Sequence, residues 1–221
     1  NWSWWSCGND VDIDGGKPGS DEVKNSDSCK NYTHIHHFNL GEKEGGAKYI
    51  NSGEIDGIAE SSFNFSEHND HLRVVTSPVW GNSPTGHKLS VLDINSPKEM
   101  KLAGAFEGFG KDERLYASRM IGDKGYFVTF KNTDPLFVFD LSDPAKPKQV
   151  GELKINGYSS YIHPVGSDHL LTIGQDADDD GRILGMQLEL FDVSNPAKPT
   201  LKYKTKIHED KSDANGSSYG W

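Results

Sequence analysis

The sequence predicts an all-β chain of short antiparallel strands, on three observations. A phrase of nine residues occurs as Leu89-Ser-Val-Leu-Asp-Ile-Asn-Ser-Pro97, Leu136-Phe-Val-Phe-Asp-Leu-Ser-Asp-Pro144 and Leu188-Glu-Leu-Phe-Asp-Val-Ser-Asn-Pro196. Its aspartates, Asp93, Asp140 and Asp192, recur after 47 and then 52 residues. Short apolar or alternating runs flank each copy, as strands require, and apolar residues at helical spacing are missing throughout, which disfavours helical bundles and βαβ units.

Within the phrase, Val91, Val138 and Leu190 are strand formers, and the Asp-x-Ser/Asn-x-Pro that follows halts the ladder because proline has no N–H to donate. After the second and third copies come Lys148-Gln-Val-Gly-Glu-Leu-Lys154 and Thr200-Leu-Lys-Tyr-Lys-Thr-Lys206, which alternate polar and apolar residues as a half-exposed edge strand does. Ahead of each copy stands a short run suited to a strand buried on both faces: Leu72-Arg-Val-Val-Thr76, Gly125-Tyr-Phe-Val-Thr-Phe130 and Leu170-Leu-Thr-Ile-Gly174. Earlier, Tyr32-Thr-His-Ile-His-His-Phe-Asn-Leu40 and Ala47-Lys-Tyr-Ile-Asn-Ser-Gly-Glu54 resemble the third and fourth strands of the same unit.

Repeats of about 40 to 50 residues with several short strands each mark the four-stranded antiparallel blades of a β-propeller. The expected division is an acidic loop over 1–31, a partial blade over 32–52, blades over 53–103, 104–151 and 152–207, and a loop-like tail over 208–221. That makes about three and a half blades, so the chain is expected to be part of a larger propeller or to meet a protein partner, because an open propeller leaves strand edges exposed.

A group of longer phrases sharpens this reading: Arg114-Leu-Tyr-Ala-Ser-Arg-Met-Ile-Gly-Asp-Lys-Gly-Tyr-Phe-Val-Thr-Phe130, Gly151-Glu-Leu-Lys-Ile155, Ser160-Tyr-Ile-His-Pro164 and Leu190-Phe-Asp-Val-Ser-Asn-Pro196. Together they resemble the secreted C-terminal β-propeller family of bacteria and archaea, distantly related to WD-repeat proteins. The match is densest from Gly104 to Pro199 and reaches back more loosely to His34-Ile-His-His-Phe38. The resemblance implies an extracytoplasmic propeller, commonly part of a longer chain, and supplies no catalytic residues.

Charge and composition narrow the partners. Lys and Arg total 23 against 33 Asp and Glu, a net charge of −10, so the summed field repels nucleic-acid phosphates and anionic lipid. No run of about 18 apolar residues exists, which argues against membrane insertion. No leader pattern is present, so any secretory leader is expected to have been removed already. Cys7 and Cys29 are expected to form a disulfide across a loop with little apolar content, worth roughly 3 kcal/mol in an oxidising secreted, cell-surface or periplasmic setting; the alternative is a pair of free thiols in the cytosol.

Two loops carry the spacing Asp-x-Asp-x-Asp-Gly: Asp10, Asp12 and Asp14 before Gly15, with Asp21 further on, and Asp176, Asp178 and Asp180 before Gly181. Alternate carboxylates beside a sharp glycine turn suit a hard cation held by oxygen, so calcium is the expected cofactor; the alternative is an acidic surface turn. His34 and His36 share one face of a strand and form a candidate binding pair, and His163 is a candidate near the propeller axis. The expected function is a non-catalytic binding or scaffold module at the cell surface. The alternative is a secreted, hydrolase-like enzyme working in the axial pocket; the lack of a nucleophile elbow, a phosphate loop or His-Glu-x-x-His favours the first.

Overall fold

Proline and aspartate punctuate this chain, and between the stops the backbone runs as strand. The fold comes from a computed structural model, which describes residues 31–40, 46–78, 83–131, 134–178 and 182–207. Among the described residues, strands β1 (Tyr32–Leu40) and β2 (Ala47–Asp56) form a two-stranded sheet. A first four-stranded sheet holds β3 (Phe65–His68), β4 (His71–Thr76), β5 (His87–Asp93) and β6 (Lys101–Phe109) in chain order. The second holds β7 (Arg114–Ile121), β8 (Lys124–Phe130), β9 (Asp134–Asp140) and β10 (Lys148–Ile155), and the third β11 (Tyr158–Val165), β12 (His169–Ala177), β13 (Ile183–Asp192) and β14 (Thr200–Lys206). Every pairing within these sheets is antiparallel, so the fold is a partial β-propeller. The only helical element among the described residues is a 3-10 turn at Ser62–Asn64. No helix among the described residues is long and apolar enough to cross a membrane.

The repeated phrase does the same structural work three times. Asp93, Asp140 and Asp192 end β5, β9 and β13, and the Oδ1 of each accepts the N–H two residues on, from Asn95 at 2.9 Å, Ser142 at 3.0 Å and Ser194 at 3.0 Å. These are Asx turns, which divert the backbone from the ladder. Each outer strand then skips one residue at the corresponding place, Ala103, Val150 or Lys202, forming a bulge that raises the local twist.

Opposite Val91 and Val138, the outer strands carry Gly104 and Gly151. A Cβ at Gly104 would fall on the carbonyl oxygen of Pro144, and one at Gly151 on that of Pro196. Each glycine therefore lies beneath the proline turn of the next blade, so close that no side chain fits. At Gly53 in β2 a Cβ would lie 2.9 Å from the Met100 Cβ, which places β1 and β2 as the outer half of a preceding blade. The expected cuts after 52, 103 and 151 fall inside β2, β6 and β10, so the sheets run a few residues past each of them.

The core lies between sheets. Ile55 of β2 packs with Val74, Leu92, Ile94 and Met100 of the first sheet and its turn. Val75, Leu89 and Phe109 meet Phe127, Phe137 and Phe139 of the second sheet. Val128, Leu136 and Val138 meet Ile162, Leu170 and Phe191 of the third. The first and second sheets thus bury opposite strand faces against different neighbours, as the period-two pattern requires.

Candidate functional site

The first strand of each blade lines the axis of a propeller, and here the segment ahead of β3 meets β7 and β11. Between them lies a cleft of about 180 Å³ whose wall includes Glu60, Phe63, Arg114, Tyr116, Ser160 and Tyr161. Two bulges shape it. Leu115 and Ala117 pair with the adjacent residues Thr129 and Val128, leaving Tyr116 as the extra residue. In β11, Ser159 and Tyr161 likewise pair with Gly174 and Ile173, leaving Ser160. A bulge re-aims a side chain, and both extra residues line the cleft.

Neighbours hold the aromatic rings in place. Tyr116 lies 4.3 Å from Tyr158 between centroids, and the Arg114 guanidinium sits 5.4 Å from the Tyr116 centroid. Burial, and then the neighbouring Tyr116, raise the Tyr158 hydroxyl above its ordinary pKa against the opposing pull of Arg114. Phe63 meets Tyr161 edge to face at 5.7 Å and carries Arg119 over its ring at 5.3 Å, and the Ser61 hydroxyl caps the turn that presents it. Phe63 remains 42% exposed. Arg114 approaches the Glu60 carboxylate at 3.8 Å, so the charges in the wall are paired.

Of the residues expected from sequence, His163 lies beside this cleft, exposed and stacked on Tyr161 at 6.3 Å. His34 and His36 lie well apart from it, on the exposed face of β1, where His34 contacts Glu54 at 3.1 Å and His36 packs near Tyr49. Asp176 has become an internal ion-pair partner: Lys204 reaches its carboxylate at 2.7 Å and Lys206 at 3.1 Å. Burial opposes its charge, yet the two lysines hold its pKa below the ordinary value. Asp178 accepts the Arg182 N–H at 2.9 Å and closes its own turn. No three His, Asp or Glu side chains converge as a metal cluster among the described residues. Asp10, Asp12, Asp14, Asp21, Asp180, Cys7 and Cys29 lie outside the described residues.

Two titratable groups escaped the sequence reading. His87 is buried between the first and second sheets, with Ser77 Oγ 3.0 Å from Nδ1 and the Glu113 carbonyl 3.1 Å from Nε2. A carbonyl only accepts, so Nε2–H donates to it and Nδ1 accepts from the serine. Burial drives the pKa of His87 down to about 4. With Ser77 also buried, the pair clasps the two sheets together. Glu189 lies between the second and third sheets at the level where β5 has Ser90 and β9 has Phe137. Burial raises its pKa to about 7 against the pull of Lys204 at 3.9 Å.

Comparison with known proteins agrees with the architecture. The beta propeller domain model matches residues 19–218. The chain belongs to the beta propeller domain family. It is 39% identical over 178 residues to an uncharacterized protein of Methanocaldococcus jannaschii, and 40% identical over 178 residues to an uncharacterized protein of Archaeoglobus fulgidus. Each alignment covers 80% of this chain but 27% and 26% of the relative, so the propeller spans about a quarter of the length of these curated relatives.

Proposed function

We propose that this propeller is a non-catalytic binding module of the cell exterior whose recognition surface is its axial cleft. The observation that carries the reading is the meeting of fixed aromatic rings with a paired arginine and carboxylate where three blades converge. Such concave sites with a few placed polar groups are where propellers and other folds hold ligands. Among the described residues the cleft wall contains one carboxylate, Glu60, and no histidine, a set suited to recognition more than to acid–base hydrolysis.

An exterior location is supported by the Cys7 and Cys29 pair, which a disulfide would close. Calcium remains part of the proposal at the N-terminal loop, on the spacing of Asp10, Asp12, Asp14 and Asp21. At the second loop calcium would have to compete with Lys204 and Lys206 for Asp176. Melting the chain in calcium and then in chelator tests the ion: a midpoint that rises with calcium supports it, and an unchanged midpoint removes it.

The test of the binding role is an array of immobilised peptides and glycans probed with the chain and with Phe63→Ala. Phe63 is exposed, so its truncation should leave the fold intact by circular dichroism. Binding lost selectively in the variant supports the cleft, whereas ligands captured equally by both chains place recognition elsewhere.

A further inference from the structure

Resting on the binding role, we infer that the ligand of the axial cleft is an uncharged sugar, taken one ring at a time from a longer glycan. Size is the first argument. At about 180 Å³ the cleft is smaller than the roughly 300 to 1,000 Å³ that enclose a drug-sized molecule, so it grips a single unit of an extended ligand.

The wall chemistry follows the same direction. Phe63, Tyr116 and Tyr161 contribute ring surface, and a ring presents a negative face to the weakly positive C–H groups that line one side of a pyranose. Those rings are already braced, Tyr116 by Tyr158 and Tyr161 by His163, so little side-chain freedom is lost when a ligand seats on them. Neighbouring sugar hydroxyls both donate and accept. Arg114, which only donates, stands beside Glu60, which only accepts, at 3.8 Å. A vicinal diol can answer both at once.

Charge and backbone geometry argue against the competing classes. Within the wall Arg114 and Glu60 cancel, which leaves an ammonium without a counter-charge, while Arg119 over the Phe63 ring makes a uronate the competing class that the titration must separate. A peptide joining as an extra strand would need an unbroken ladder along β7 or β11. The bulges at Tyr116 and Ser160 interrupt both edges at the level of the cleft. A sugar requires no ladder.

Isothermal titration of the full chain tests this, using cellohexaose, maltohexaose and mannohexaose as the uncharged probes, with hexagalacturonate and an alternating threonine–valine hexapeptide for comparison. The expected result is saturable binding of at least one uncharged oligosaccharide, weakened tenfold or more by Phe63→Ala and by Arg114→Lys, and unchanged by Tyr203→Gly on the remote outer strand. Should the uronate or the peptide bind in a Phe63-dependent way while all three uncharged sugars fail, the sugar assignment falls and the binding role stands. If no probe shows a Phe63-dependent isotherm, both fall.

Discussion

Two inter-sheet interfaces in this chain share one geometry and differ in chemistry. Between the first and second sheets, Phe109, Phe127, Phe137 and Phe139 interlock, with Phe109 and Phe139 5.1 Å apart and Phe127 and Phe139 5.2 Å apart. Between the second and third, the places of Phe127 and Phe137 are taken by Thr172 and Glu189, both buried. Ser159 lies 3.0 Å from Thr172 and 3.5 Å from Glu189, and neither oxygen nor nitrogen of the Gln187 amide finds a hydrogen-bond partner among the described residues. Blade packing in a propeller thus tolerates large differences in interface chemistry as long as the turns and the close glycine contacts are kept. The aromatic seam gains dispersion and burial, while the polar seam carries desolvation that its hydrogen bonds only partly offset.

The strongest way to break the comparison is at the aromatic seam. Phe127→Ala should cost about 3 to 5 kcal/mol in a urea melt, because a fully buried ring leaves a cavity between two rigid sheets. Thr172→Ala at the corresponding place removes far less volume and should cost about 1 kcal/mol. Equal losses at the two sites would show that the interfaces are alike in energy.

Next comes the glycine contact. Gly151→Ala forces a methyl group onto the Pro196 carbonyl and should destabilise by about 1 to 3 kcal/mol, measured in the same melts. In the third sheet the residue opposite Leu190 is Tyr203, 63% exposed, so Tyr203→Gly should cost only the glycine's loss of backbone freedom in a strand, about 0.5 to 1 kcal/mol. A neutral Gly151→Ala would remove the turn-against-strand contact from the account of blade packing.

A smaller effect sharpens the contrast at the polar seam. Glu189 is raised to about 7 from an ordinary 4.5, so the folded chain holds its proton more tightly than the unfolded chain does. Its favourable contribution is complete below pH 4.5 and is lost as pH rises toward 7, by roughly 2 to 3 kcal/mol before solvent screening is allowed for. Glu189→Gln keeps the shape without the charge and should therefore stabilise the chain at pH 8 by about 1 to 2 kcal/mol while changing little at pH 4.5. A variant that is less stable at pH 8 would show that Lys204 more than compensates the buried carboxylate.

How much of this was legible in the sequence depends on the range of the contacts. The Asp-x-Ser/Asn-x-Pro turns encode their geometry within five residues, so the ends of β5, β9 and β13 and the edge strands β10 and β14 follow from the sequence directly. Gly104 and Gly151 are visible as glycines, but the neighbour that requires them sits 40 or more residues away, so their packing role is not legible locally. The cleft was hidden for the same reason: Glu60, Arg114 and Tyr161 are brought together only by the stacking of three sheets, and the bulges that turn Tyr116 and Ser160 inward leave no signature in an alternating strand. The lysines that pair with Asp176, Lys204 and Lys206, lie across the sheet on β14, beyond the reach of a local motif. Glu189 and His87 read as ordinary polar strand residues, since burial belongs to the neighbouring blade and not to the local run.

His87 supplies the opposite pH response to Glu189. Lowered to about 4 from an ordinary 6.5, it contributes stability present above pH 6.5 and lost as pH falls through 4. In a global melt the two groups partly cancel between pH 4.5 and 6.5, so the separation must be made locally. Amide hydrogen exchange at pH 4.5 and pH 7.5, corrected for intrinsic rates and read strand by strand, does this most directly. The interfaces described above predict that β5 and β7 open more readily at pH 4.5, and β12 and β13 more readily at pH 7.5. Protection that moves in the same direction in both pairs would contradict the claim that this propeller joins its blades through two chemically opposed seams.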